Sequence, residues 1–230
     1  MNEVDRGAGL DSDWLDPGPV GHEIGPMTQN GRLVVKVGSQ VLCQPDGRLS
    51  MAVLERLVER VADLRAEGWD VVLVTSGAVA AGSGSLGEAG PANPVARRQV
   101  LAAVGQVRLM ESYRRLFAAR GLSVAQVLAS KSDFQSRGHY LNMRACIEAL
   151  LGAGVVPIAN ENDVVSVTEL MFTDNDELAG LLAGLVGAQR LVLLSTVAAV
   201  LDAVGEPISE WEDGVHDIAD VVKAGTSQLG

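Results

Sequence analysis

The segment VVPIANENDVVSVTELMFTDNDELAGLLAGLV, residues 155–186, passes through three textures. VVPIA (155–159) is a short apolar run that reads as a buried strand, and Glu177 to Val186 carries apolar side chains at helical spacing. Between them lie two Asn/Asp-rich knots, one holding Asn160, Asn162 and Asp163, the other Asp174, Asn175 and Asp176. A strand, a polar junction and a helix make the repeating unit of an α/β sheet, where ligands sit beyond the carboxyl ends of the strands. The same short side chains also form turns and cap helices. Both readings stand on this stretch alone.

The unit recurs outward from there. RLVVKV (32–37), DVVLVT (70–75), SVAQVL (123–128) and RLVLLS (190–195) are further strand-like runs. Val53, Leu54, Leu57, Val58, Val61 and Leu64 fall on one helical face, and Gly68 ends that helix. Asn93-Pro94 supplies an N-cap and a first-turn proline for a long helix to about Gly121, and Arg137 to Leu151 makes another. Strand alternating with helix predicts an α/β fold, a mostly parallel sheet with helices on both faces. Apolar residues make up 47% of the chain and aromatics only 3%, so that core is aliphatic, as parallel sheets usually are. Residues 1–30, rich in Gly, Pro and Asp without an apolar period, read as a flexible leader. Residues 31–230 read as one domain.

Composition excludes several classes. The formal net charge of -11 argues against nonspecific binding to nucleic acid. No apolar run is long enough to span a membrane, and the N-terminus lacks the basic and apolar regions of a secretory signal. Cys43 and Cys146 lie far apart with no metal-type spacing, so no metal ligands are expected and a reducing cytoplasm is the default compartment.

In a parallel sheet the strand ends KVGSQ, TSGAVAAG, NEND and ST converge on one rim. Only three of the 18 basic residues are lysines, and one of them, Lys36, sits inside an otherwise apolar strand. A buried charge there costs several kcal/mol, roughly, unless it is paired. A compact ammonium at a strand end suits a phosphate, and Gly38 and Ser39 offer nearby backbone N–H groups. A lysine snorkelling to solvent is the alternative. At the second junction Thr75, Ser76 and Gly77 open a helix, whose N-terminus accepts anions such as a carboxylate. GSGSLG, with Gly82, Gly84 and Gly87, matches GxGxxG but starts well after the strand ends. It reads as a flexible loop and not a dinucleotide fingerprint.

Taken in order, VVKVGSQVL, VLVTSGAVAAG, RQVLAAVGQ, VVPIANENDVV and TDNDELAG resemble the amino acid kinase family over about residues 32 to 194. The resemblance is to its branch that phosphorylates the γ-carboxylate of glutamate with ATP, in proline biosynthesis. It implies a three-layer α/β sandwich, glutamate and ATP as ligands, and Mg²⁺ held mainly through the nucleotide phosphates; a homo-oligomer is expected because a partner subunit would cover the side of the sheet left without its last strands. It also implies catalytic roles for Lys36 and Asp176, with Lys36 on the ATP phosphates and Asp176 organising the charge. Ser76, Gly77, Asn160, Asp163 and Asn175 would bind glutamate. Lys36, Gly38, Ser39, Ser195 and Thr196 would hold the nucleotide.

Chemistry agrees with that cast. A γ-carboxylate is already ionised at neutral pH, so no general base is required and no histidine is needed. The task is to bring two anions together, which lysine, backbone N–H groups and Mg²⁺ perform. The chain departs from the family after LVLL, where Ser195-Thr196 replaces Thr-Asp and Ala198 to Leu201 replaces a charged, glycine-bearing stretch. The later glycine-rich segment with its second lysine is missing, so the family's last elements are expected to be absent. A piece of a longer kinase, an active kinase with altered nucleotide contacts, and a weak or inactive homologue binding glutamate or serving as a scaffold remain open. A nicotinamide oxidoreductase rests only on the misplaced glycines.

Overall fold

The computed structural model describes residues 31–44, 46, 48–86, 91, 93–165, 175–196, 200–201 and 206–208. The expected leader and Asp174 lie outside the described residues. The element order is β1 (Arg32–Val37), α1 (Ser39–Leu42), α2 (Met51–Ala66), β2 (Asp70–Val74), α3 (Ala78–Leu86), α4 (Pro94–Ala118) and β3 (Val124–Ala129). Then come α5 (Lys131–Gln135), α6 (Arg137–Gly152), β4 (Val156–Glu161), α7 (Asn175–Val186) and β5 (Arg190–Leu194). A short antiparallel pair, β6 (Val200–Leu201) with β7 (Pro207–Ile208), follows.

β1 to β5 form one all-parallel sheet in the order β3-β4-β2-β1-β5. The strand period of two divides each strand between two cores. Leu33, Val35, Val37, Val71 and Leu73 face α2 and α4, while Val34, Val72 and Val74 face α6 and α7. The sidedness follows from handedness. The chain moves one way along the sheet through α2 and α4 and the other way through α6 and α7, so a single crossover hand puts the two pairs on opposite faces. The connection leaving β2 runs to one face and that leaving its neighbour β4 runs to the other. That is the switch point at which such sheets open a crevice beyond the strand ends.

The expected caps are present. Asn93 accepts from the Val95 and Ala96 N–H groups, with Pro94 at the first position of α4. Gly68, with φ of 91°, closes α2 in the left-handed region.

One expectation is overturned. The glycine-rich segment expected as a flexible loop is helical through Gly82 and Gly84, inside α3. A Cβ on Gly82 would meet the Leu101 carbonyl oxygen at 2.0 Å, and one on Gly105 would meet the Ala78 carbonyl oxygen at 1.7 Å. These glycines let the backbones of α3 and α4 touch. A pattern written for phosphate loops has no means of showing that, because the partner helix is remote in sequence.

The outer strand β5 is apolar on both faces, with Leu191, Val192 and Leu193 each about two-fifths exposed (38%, 39% and 47%). Beside it a cavity of about 610 Å³ opens between α2 and the β1–β5 pair, lined by Val35, Leu57, Val61, Trp69 and Val192.

Gly105→Ala is expected to destabilise the fold by more than about 1–3 kcal/mol, because the overlap is with backbone. Gly180→Ala, on the exposed face of α7 with nothing within 4 Å, should stabilise it by up to about 1 kcal/mol. Urea denaturation of both variants measures the contrast.

Candidate active site

Lys36 shares the α7-facing side of β1 with Val34. It is 7% exposed, and its Nζ lies 2.5 Å from Asp176 Oδ1. Asp176 is in the first turn of α7, where a carboxylate is also favoured by the helix dipole. The Asp176 side chain is 41% exposed, so the pair opens to solvent at the rim instead of being sealed inside. Gly38 stands directly beside it, since a Cβ there would lie 3.5 Å from Lys36 Nζ. The Gly38 N–H itself donates to the Leu194 carbonyl at 3.1 Å, tying the β1 and β5 ends together. The N–H groups of the following turn, beginning at Ser39 in α1, are therefore better suited to a phosphate than that of Gly38. Thr196 is next to them, its hydroxyl donating to Gln40 Oε1 at 2.9 Å. Ser195 is exposed at the end of β5.

A second group is built from carboxamides. Asn175, at the start of α7, donates from Nδ2 to the Thr75 carbonyl at 2.9 Å, to Ser76 Oγ at 2.7 Å and to Asn160 Oδ1 at 3.2 Å. Asn160, buried near the end of β4, donates from Nδ2 to Gln106 Oε1 at 2.9 Å. Gly77 has φ of 94° and packs on Leu49 and Leu42, so the turn from β2 into α3 demands glycine. That turn holds Ser76 at the entrance to α3.

The fold thus gathers Ser76, Gly77, Asn160 and Asn175 on one side and Lys36, Asp176, Gly38, Ser39 and Thr196 on the other. Asn175 and Asp176 are consecutive and join the two groups. Asp163 stands apart. It lies in the turn after β4, and Arg98 of α4 holds its Oδ1 at 3.0 Å. Gln99 donates to the Val164 carbonyl at 3.1 Å, fastening the same turn to α4.

Sequence reasoning missed Gln106, Arg98 and Tyr113, all on α4. Their only signal was polar residues on the otherwise apolar-periodic stretch RRQVLAAVGQ and the helix beyond it. Lys131 was also missed. It pairs with Glu177 at 2.6 Å, beside Asp176, and the scarcity of lysine in the chain pointed to it. Tyr113 is fully buried and its hydroxyl lies 2.8 Å from Thr75 Oγ1 at the end of β2. Burial pushes its phenol well above the ordinary range, against a smaller downward pull from Thr75. No group of three or more His, Cys, Asp or Glu side chains able to hold a metal occurs among the described residues.

The family model described as the amino acid kinase family matches residues 31–212. The chain belongs to the amino acid kinase family. Among its relatives in that family, "Glutamate 5-kinase" of Chlorobaculum tepidum is 46% identical over 202 residues, covering 86% of this chain and 56% of the relative. "Glutamate 5-kinase" of Geobacillus kaustophilus is 48% identical over 172 residues, 75% of this chain and 46% of the relative. "Glutamate 5-kinase 2" of Bacillus subtilis is 44% identical over 177 residues, 77% of this chain and 48% of the relative. The chain spans about half the length of the curated relatives it matches. The all-parallel sheet with two helical layers is the amino acid kinase architecture that the sequence implied.

The buried phenol gives an alkaline signature. Its folded pKa is raised, so its contribution to stability is complete below the unfolded phenol's pKa of about 10 and declines as pH rises above it. Stability should therefore fall more steeply above about pH 10 in the parent than in Tyr113→Phe. Denaturant midpoints measured from pH 8 to pH 11 compare the two chains.

Proposed function

We propose that this chain carries the substrate-phosphorylating site of a glutamate 5-kinase, transferring the γ-phosphoryl group of ATP to the γ-carboxylate of glutamate. The observation that carries the reading is the adjacency of two groups on α7. Asn175 belongs to a cluster of neutral donors, and Asp176 to the ion pair with buried Lys36 near the carboxyl end of β1. The relatives' names give the reaction, and the geometry supplies matching chemistry.

The acceptor carboxylate is ionised above about pH 4.3, so its oxygen attacks without a base. The P–O bond to ADP breaks as the new bond forms, leaving a mixed carboxylic–phosphoric anhydride. The ammonium of Lys36 neutralises charge on the phosphoryl oxygens in flight, and Asp176 keeps that ammonium aimed. Ser76 and the N-terminus of α3 receive a substrate carboxylate, with Asn160 and Asn175 setting the pocket wall. Asp163 takes the substrate ammonium in exchange for Arg98. Ser39, Ser195 and Thr196 line the nucleotide side beside Gly38. Mg²⁺, bound through the nucleotide phosphates, would supply further neutralisation.

Residues 31–230 would form the kinase domain behind a 1–30 leader, working in the cytoplasm. No described helix is long and apolar enough to cross a membrane. A homo-oligomer is supported by the two sheet edges that no described strand pairs, β3 and the apolar β5. Light scattering at micromolar concentration should return at least twice the 24.0 kDa chain mass. A monomer would remove this part of the proposal.

Lys36→Met should lower acyl phosphate formation, trapped as the hydroxamate with hydroxylamine, by at least ~10²-fold while the circular dichroism spectrum is retained. Asp163→Asn should weaken glutamate binding by ~10-fold or more, since a charge-assisted contact contributes roughly 1.5–3 kcal/mol. Parent chain that binds neither glutamate nor ATP in calorimetric titration would sink the whole reading.

A further inference from the structure

Two backbone groups dictate the direction of every bond in the carboxamide cluster. The Glu161 N–H can only donate, and it donates to the Asn160 carboxamide at 2.9 Å, which must therefore present Oδ1. The Thr75 carbonyl can only accept, so the Asn175 atom 2.9 Å from it is Nδ2. Carboxamide ends are ordinarily assigned by such reasoning and not seen directly. Here the backbone settles both asparagines independently, and the two answers agree, because Asn175 Nδ2 also meets Asn160 Oδ1.

The remaining consequences are forced. With Oδ1 turned toward Glu161 and Asn175, the Asn160 Nδ2 faces α4 and needs an acceptor, which is Gln106 Oε1. That choice turns Gln106 Nε2 the other way, buried and without a hydrogen-bond partner. A buried donor left so is destabilising, which makes glutamine a poor choice for stability alone. At the far end Ser76 Oγ accepts from Asn175, so that bond does not use the hydroxyl hydrogen of Ser76.

We infer that Gln106 is a positioning residue: it anchors a one-way chain through Asn160 and Asn175 that leaves Ser76 a hydrogen donor toward an anionic substrate group. The substrate in that statement rests on the proposed function, whereas the direction of the chain does not. A serine whose hydrogen is committed inward would repel a carboxylate. Gln106 acts through Asn160 and Asn175 and needs no contact with the substrate.

Two variants of the full chain test it. Gln106→Met removes the acceptor facing Asn160, and Gln106→Glu keeps one. Without ligand, amide hydrogen exchange at Glu161 should quicken by ~10-fold or more in Gln106→Met, as a local hydrogen bond is released. Exchange at Ala159 should hold, and Gln106→Glu should stay within about three-fold of the parent at both amides. Glutamate should then bind Gln106→Met about 10-fold more weakly, with ATP affinity unchanged, the loss equivalent to one hydrogen bond. Unaltered Glu161 exchange in Gln106→Met would overturn the anchoring. Quickened exchange with parental glutamate affinity would overturn the positioning role. A parent that binds no glutamate overturns the proposed function instead, and the exchange data still judge the chain of hydrogen bonds.

Discussion

Burying the ammonium of Lys36 inside a parallel sheet is unfavourable by itself, and the arrangement of the rim follows from how that cost is met. The strand period turns Lys36 to the side of α7, so its counter-charge has to come from that helix. Asp176 supplies it from the first turn, where the helix dipole already favours a carboxylate. The pair therefore fixes the start of α7 over the end of β1. Asn175, one residue earlier, is carried to Thr75, Ser76 and Asn160 by the same placement. Because the pair is open to solvent on the aspartate side, the lysine remains available to a ligand. A fully enclosed pair would hold its charge at a greater desolvation cost and offer nothing outward.

The second constraint is steric. Gly82 and Gly105 allow α3 and α4 to approach until backbone meets backbone. Gln106 follows Gly105 directly, so the depth of that contact decides whether its side chain reaches Asn160. Tyr113, further along α4, reaches Thr75 from the same packing. One helix thus supports both the strand end that carries Ser76 and the asparagine behind it. Arg98 and Gln99, nearer its start, fasten the turn bearing Asp163.

These constraints act on different parts of the chemistry. In the proposed reaction the charge pair would place a cation where phosphoryl charge develops, and the glycine contact would place neutral donors where a carboxylate rests. Aliphatic packing holds both in register, with Val34, Val72, Val74 and Ala159 buried against α7 and α6. The apolar, half-exposed β5 marks the side of the sheet on which further covering is most needed.

Much of this was legible in the chain before any coordinates. Strand and helix periods, the Asn93-Pro94 cap and Gly68 are local signals, and local sterics and hydrophobic spacing suffice to read them. The convergence of Lys36, Ser76 and Asn160 was also readable, because parallel strands necessarily bring their carboxyl ends to one rim, whereas Asn175, at a helix start, entered only through the family resemblance. Three things were not. The helicity of residues 82–86 depends on Leu101 and Gly105, partners remote in sequence, and a glycine by itself signals only freedom. The turn of Asp163 toward Arg98 depends on where α4 lies in space. The direction of the amide chain from Gln106 to Ser76 depends on two backbone groups from separate strands, Glu161 N–H and the Thr75 carbonyl. Residue types and their periods were set by the sequence itself, but which donor meets which acceptor is a matter of distances between elements, and those exist only once the layers have packed.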